Sequence, residues 1–185
     1  MTSVNSQRAP IRSQSGFALI DLIFAAGMIA LLFSIAMPRL LLARQSAAAS
    51  SAIGSMRTIS SAQLAYALTC GGGFYAPNLT TLGTPPVGSP EPFIGGGLGQ
   101  SDTVQKSTYT IQMSATAFAG APASCNGVGP GMGGQGFKAG ADATVPPVSR
   151  FFATNANGVI FEDIASLYGT MPELGEPASG HVLVQ

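Results

Sequence analysis

The chain has 185 residues, of which 46% are hydrophobic and only 9% are charged, whereas charged residues make up about 25% of an average soluble domain. The formal net charge is zero, and beyond Arg44 four basic side chains stand against seven acidic ones. This balance argues against a basic surface for nucleic acid, and the length allows one small domain beside an apolar helix.

The first predicted elements are a polar leader and a membrane-spanning helix. The leader carries Arg8 and Arg12 and ends at Gly16, and the apolar run Phe17–Met37 follows directly. About 21 helical residues rise about 30 Å, which matches the hydrocarbon core of a bilayer. A cleaved secretory signal has a shorter apolar stretch, of about 7–15 residues, and a small-residue cleavage site, which this run lacks. The pattern favours a retained helix, and a plain single-pass anchor is the alternative.

One acidic residue, Asp21, lies at the fifth position of this run. An aspartate in the middle of a membrane helix costs about 2.5–3.5 kcal/mol on insertion scales, and a buried charge is tolerated when it is paired. Asp21 would also lie in the first helical turn, where the macrodipole favours negative charge. We therefore expect a specific partner for this carboxylate. The alternative is that Asp21 lies at the depth of the lipid headgroups and pairs with nothing specific.

The junction Ser15-Gly16-Phe17-Ala18-Leu19-Ile20-Asp21 resembles the class III signal of type IV pilins and of the pseudopilins of type II secretion. The resemblance implies that a prepilin peptidase cuts between Gly16 and Phe17 and that the new N-terminal Phe17 is methylated. Pro38 matches a proline that is common in the family, and the similarity covers about a third of the chain. The chain departs from the family at Asp21, because the family usually carries glutamate, which is one methylene longer.

In this family the carboxylate is thought to meet the free N-terminal amine of a neighbouring subunit during filament assembly. The resemblance therefore assigns Asp21 and Pro38 to assembly. It implies three kinds of partner: other copies of the chain, the prepilin peptidase and methyltransferase, and an inner-membrane assembly platform. The implied location is the bacterial inner membrane, as a single-pass precursor with its head in the periplasm, and then a surface pilus or a periplasmic pseudopilus.

The helical pattern continues beyond the apolar run. Gln45–Thr69 lacks proline, and Gly71-Gly72-Gly73 supplies the left-handed conformation that ends helices. We expect one helix of about 50 residues, kinked near Pro38, whose second half packs on a globular head. The positions expected on its buried face are Ala49, Ala52, Ile53, Met56, Ile59, Gln63, Leu64 and Ala67, with Arg57 on the opposite side.

The chain has two cysteines, Cys70 and Cys125. In a chain expected outside the cytosol they favour a disulfide, which would close a loop of about 55 residues and contribute roughly 4 kcal/mol in the chain-entropy model. Two free buried thiols are the alternative. Metal binding is not expected, because neither cysteine has a second ligand close in sequence.

The remaining sequence predicts an α+β, type IV pilin-like fold, with the long helix packed on an antiparallel sheet of 3–4 strands. Alternation at residues 109–115 indicates a strand, and Asn155-Ala156-Asn157-Gly158 indicates a hairpin turn between strands at 149–154 and 159–162. Residues 181–184 are expected to add a last short strand, whereas 74–107 and 120–147 are expected to be loops. The expected domains are a leader (1–16), a transmembrane or filament-core helix (17–43), its amphipathic continuation (44–69) and a head (70–185).

Several other motifs are expected to carry no chemistry. Gly129–Gly134 has a nucleotide-loop spacing but lacks the strand–loop–helix frame, and Asn78-Leu79-Thr80 is a glycosylation sequon only in a suitable secretory system. The carboxylates Asp142, Glu162 and Asp163 do not match a calcium loop, so we expect solvated surface. The lone His181 has no evident nucleophile or metal partner.

The sequence thus predicts a structural subunit of a type IV pilus-like filament, with no enzymatic activity, no cofactor and no metal. A pseudopilin of a type II secretion system, which forms a short periplasmic fibre, shares every N-terminal feature and is the first alternative. The second alternative is an unrelated single-pass membrane-anchored protein.

Overall fold

The computed structural model describes residues 19–144 and 150–183, so the predicted cleavage site at Gly16 and Phe17 and the final residues from Val184 lie outside the described residues. The chain divides into two compact units, Met1–Ala43 and Arg44–Gln185. Two helices and six strands form the described part. These are α1 (Leu19–Thr69), α2 (Leu79–Gly83), β1 (Thr103–Lys106), β2 (Tyr109–Ser114), β3 (Lys138–Ala143), β4 (Phe151–Asn155), β5 (Ile160–Asp163) and β6 (His181–Val182).

The first helix, α1, has 51 residues and contains Pro38. Its end agrees with the sequence prediction, since two of the glycines that follow take positive φ values, 61° at Gly72 and 93° at Gly73. The amide of Gly73 donates to the carbonyl of Ala67 at 2.9 Å, which satisfies one of the carbonyls that a helix end leaves free.

The sheet has six antiparallel strands in the order β1-β2-β3-β4-β5-β6. The prediction of an α+β fold with one long helix and an antiparallel sheet is confirmed, whereas the prediction of 3–4 strands is wrong. Two strands, β1 and β3, lie in segments that were expected to be loops. The five-residue helix α2 lies in the first of those segments as well, and it begins where the Asn78 side chain accepts a hydrogen bond from the Thr81 amide.

The sequence of β3 is Lys138-Ala-Gly-Ala-Asp-Ala, which has no β-branched or aromatic residue. Small residues suit this strand because its neighbours pack closely on it: Ala139 and Ala141 are fully buried in the core shared with α1. A Cβ atom at Gly140 would come within 2.7 Å of the Tyr168 side chain. This strand therefore forms because of close packing on both faces, not because of intrinsic strand propensity.

The main core lies between one sheet face and the second part of α1. Tyr109, Ile111 and Met113 alternate along β2 and pack in one cluster with Met56 and Ile59 of α1. The opposite sheet face has a smaller cluster of its own, formed by Ala153, Phe161, Leu167 and Met171.

The buried face of α1 is close to the predicted one. Ala49, Ala52, Met56, Ile59, Gln63 and Ala67 are buried as expected, and Ala48, Ser55, Ala62 and Tyr66 are buried with them. Leu64 is an exception, because 55% of it is exposed. It follows Gln63 by one position, a turn of about 100°, which moves its side chain away from the centre of the buried face.

Gln63 links α1 to the head through a fully buried side chain. Its Oε1 accepts a hydrogen bond from the Ala76 amide at 2.8 Å, and its Nε2 donates to the Ala76 carbonyl at 2.9 Å. The second donor contact of Nε2 is to the Met113 sulfur at 3.1 Å, so the same side chain also reaches β2. One polar side chain thus satisfies both backbone groups of Ala76 away from water.

We expect Gln63→Leu to lower the free energy of unfolding of the head by about 2–4 kcal/mol, because it leaves both backbone groups of Ala76 buried without partners. All four tyrosines lie in the unit Arg44–Gln185, so the tyrosine signal in near-ultraviolet circular dichroism monitors the unfolding of that unit in urea. The matched control is Leu64→Gln, an exposed neighbour, which should change stability by less than about 0.5 kcal/mol. An equal, small effect of both substitutions would contradict this role of Gln63.

Candidate functional site

The most unusual surface of the described chain is the first part of α1, the segment Leu19–Ala43, in which every side chain is exposed. Large apolar side chains project on all sides of the helix; Phe24, Leu31 and Leu32 are 67%, 71% and 69% exposed. Contiguous apolar surface of this kind marks an interaction site or a membrane-embedded segment. By length and composition, α1 is also the one helix among the described residues that is able to cross a membrane.

Asp21 is the acidic residue in the first turn of α1. Within residues 19–144 and 150–183, its carboxylate has neither a hydrogen bond nor a salt bridge. The carboxylate is thus surrounded along the helix by apolar side chains, with a full set of acceptor sites available. A cationic donor supplied from elsewhere would fit this chemistry.

Pro38 lies inside α1 and has no backbone N–H. The carbonyl of Ser34, four residues earlier, therefore lacks its usual helical donor. Gly27 is a second weak point of the same segment, since glycine costs about 1 kcal/mol relative to alanine in a helix interior. The helix thus has two places where bending is inexpensive, both within the exposed apolar segment.

Cys70 and Cys125 form a disulfide with a Cα–Cα distance of 4.9 Å. The alternative of two free thiols is excluded. The bond ties the residue that follows α1 to the long connection between β2 and β3, and the Cys125 amide adds a hydrogen bond to the Cys70 carbonyl at 3.2 Å. Next to it, the Asn126 amide donates to the carbonyls of Thr81 and Thr84.

The carboxylates considered for calcium are engaged with protein groups. Glu162 forms a bidentate pair with Arg150, whose Nη2 donates to Oε2 at 2.8 Å. These hydrogen bonds lower the pKa of Glu162 and raise that of Arg150. The pair therefore stabilises the folded head near neutral pH, and this stabilisation is lost as the pH falls through the folded-state pKa of Glu162. Asp142 accepts a hydrogen bond from Ser166 at 2.9 Å. No group of three potential metal ligands occurs in the described residues.

The remaining sequence motifs have structural roles. Asn78 of the sequon caps α2 through its oxygen, and its amide nitrogen donates to Asp102 at 3.2 Å. The segment Gly129–Gly134 is a connection, pinned where the Gly131 amide donates to the Ala121 carbonyl at 2.7 Å. His181 lies opposite Glu162 in the β5–β6 pair.

No known protein family matches the chain, and no curated protein or solved structure is similar to it. The architecture itself has the features expected of a pilin-like fold. These are a long N-terminal helix with an apolar first part, an antiparallel sheet on which the helix packs, and a disulfide.

We expect replacement of both cysteines, as Cys70→Ala with Cys125→Ala, to lower the free energy of unfolding of the head by about 2–4 kcal/mol, since the bond closes a long loop. Tyrosine circular dichroism in urea measures the change. Reduction of the unsubstituted protein should reproduce the loss, whereas the double variant should not respond to reductant. A double variant as stable as the oxidised protein would show that the disulfide does not stabilise the head.

Proposed function

We propose that the chain is a structural, non-enzymatic subunit of a type IV pilus-like filament, which polymerises through the first part of its N-terminal helix. The observation that carries the proposal is that every residue of the apolar segment Leu19–Ala43 is exposed, together with a single carboxylate in its first turn. The resemblance of the residues around Gly16 and Phe17 to a prepilin cleavage signal adds the processing step: cleavage between them and methylation of Phe17.

An apolar helix of this kind is stable in two surroundings. Lipid tails cover it before assembly, and the helices of other copies cover it in a filament core. Because lipid and protein are equally apolar, helices leave the bilayer only if their packing is better than that of lipid, which small residues favour. The segment contains Ala25-Ala26-Gly27 and Ala30 among its large side chains, and these allow the close approach of a neighbouring helix.

Asp21 supplies the specific attraction in this mechanism. Cleavage after Gly16 would create a new amine at Phe17, and that amine on one copy would pair with the Asp21 carboxylate on another. A buried carboxylate without a partner is strongly destabilising, whereas a paired one is tolerated. The pair would therefore favour one register of neighbouring helices over others. The shorter aspartate brings the amine closer to the helix backbone than a glutamate would.

The other features of the chain support an extracytoplasmic structural role. A disulfide persists in oxidising compartments outside the cytosol. Pro38 and Gly27 permit local bending while helices pack around one another. The proposed partners are further copies of the chain, the prepilin peptidase and methyltransferase, and an assembly platform in the bacterial inner membrane, where the precursor would span the bilayer with its head in the periplasm.

We expect Asp21→Ala to be processed normally but to lower the yield of assembled filaments about tenfold or more, because the incoming amine loses its partner. Asp21→Asn should fail similarly, since it keeps the size but removes the charge, and Asp21→Glu should assemble at least as well as the unsubstituted chain. The measurement is an immunoblot against the head, on sheared filaments and on membranes in parallel. Ser34→Ala, a polar position of the same segment, is the matched control.

Normal filament yield from Asp21→Ala would contradict the pairing. Loss of Asp21→Ala from the membrane fraction would instead indicate that the substitution blocks insertion, so the membrane blot separates the two steps. Equal yields from Asp21→Asn and Asp21→Glu would show that charge plays no part.

A further inference from the structure

A groove on the head lies between α1 and the β4–β5 turn, and we call it the α1–turn groove. Its walls are Ser60, Ser61 and Leu64 of α1, the aromatic residues Tyr75 and Phe137, and the turn 155–158. Its volume is about 280 Å³, just below the range of roughly 300–1,000 Å³ that is typical of sites for drug-sized ligands. The groove therefore has room for a single ring.

The turn wall of the groove is held rigidly by hydrogen bonds. The side-chain amide of Asn155 donates hydrogen bonds to the carbonyls of Pro172 and Gly175, at 3.0 Å and 2.7 Å. Its side-chain oxygen accepts a hydrogen bond from the backbone amide of Asn157. The Gly175 amide in turn donates to the Asn157 oxygen at 3.0 Å. With Gly158 at a φ of 76°, this network fixes the turn before any ligand arrives, which lowers the entropic cost of binding.

The aromatic wall is fixed as well. Tyr75 exchanges two backbone hydrogen bonds with Gly134, at 2.8 Å and 3.0 Å. Its ring packs edge-to-face on Phe137, with the ring centroids 5.1 Å apart. Together with half-exposed Leu64, this wall offers an apolar contact to one face of a ring.

Three neutral polar side-chain groups of the lining have no hydrogen-bond partner among residues 19–144 and 150–183: the Ser61 hydroxyl, the Tyr75 hydroxyl and the side-chain nitrogen Nδ2 of Asn157. None of the described residues that line the groove has a charged side chain. An anionic or cationic ligand would therefore find no counter-charge, whereas hydroxyl groups would find both donors and acceptors.

We propose that the α1–turn groove binds one neutral pyranose ring. Such a ring has C–H groups that suit the apolar wall formed by Leu64 and Tyr75, and hydroxyl groups that suit Ser61, Tyr75 and Asn157. All of its residues lie in the unit Arg44–Gln185, outside the apolar segment that is proposed to polymerise. Its test does not depend on the proposed function.

The test is saturation-transfer-difference NMR on the full chain in a sugar-free zwitterionic detergent. The probes are the methyl glycosides of glucose, galactose, mannose and N-acetylglucosamine, with glucuronate as the charged comparison. We expect at least one neutral glycoside to receive saturation, and glucuronate to receive none. Tyr75→Phe should weaken the binding of that glycoside about two- to tenfold, which corresponds to the loss of one hydrogen bond.

Ser61→Phe, which fills the groove from the exposed side of α1, should abolish the transfer, and Ser50→Phe, on the same helix outside the groove, should leave it unchanged. Tyr168→Phe is the control for the hydroxyl, because the Tyr168 hydroxyl bonds Ser114 instead. A cooperative unfolding transition in urea, monitored by the circular dichroism of the remaining tyrosines, verifies that every variant is folded. No transfer to any neutral glycoside, equal transfer to glucuronate, or transfer that survives Ser61→Phe would overturn the proposal. Concentration-dependent association that Ser61→Phe abolishes, without glycoside binding, would assign the groove to a second copy of the chain and would overturn it too.

Discussion

Within residues 19–144 and 150–183, the apolar segment Leu19–Ala43 buries none of its side chains, and the proposed function depends on this constraint. Exposing this much contiguous apolar surface to water is strongly unfavourable, so the segment needs a covering partner. We propose that this partner is a lipid bilayer, other copies of the chain, or each in turn. Asp21 adds a constraint on the register between neighbouring helices. Hydrophobic contact alone does not select one register between two helices, whereas a carboxylate that requires a cation favours a specific one.

In the head, by contrast, the second part of α1 packs against the sheet. Small residues on both sides achieve this: Ala48, Ala49 and Ala52 on the helix and Ala139 and Ala141 on β3 are all buried in one cluster. Large side chains such as Met56 and Ile59 fill the rest of that cluster, and the fully buried Gln63 adds specificity through hydrogen bonds to Ala76. The disulfide and the Arg150–Glu162 pair then secure two further regions of the head.

The sequence predicts those elements whose signals are local. The extent of α1, its glycine end and the hairpin around Asn155–Gly158 follow from periodicity and turn chemistry. The sequence does not predict β3, because its residues have poor strand propensity and the strand depends on tertiary packing, such as that of Tyr168 against Gly140. The sequence does not predict β1, because the turn between β1 and β2 has Ser107 at a φ of 57°, a position where glycine or asparagine is usual. The α1–turn groove joins distant segments of the chain, so no local pattern indicates it.

The most direct test of the central claim is intact-peptide mass spectrometry of the N-terminus, made separately on sheared surface filaments and on membranes. We expect the peptide from the sheared filaments to begin at Phe17 and to carry one methyl group. The same peptide confined to membranes would favour the short periplasmic fibre of a secretion system over a surface pilus. A peptide that begins at Met1 or Thr2 in both fractions would show that the leader is not removed, and would contradict assembly through a free amine at Phe17.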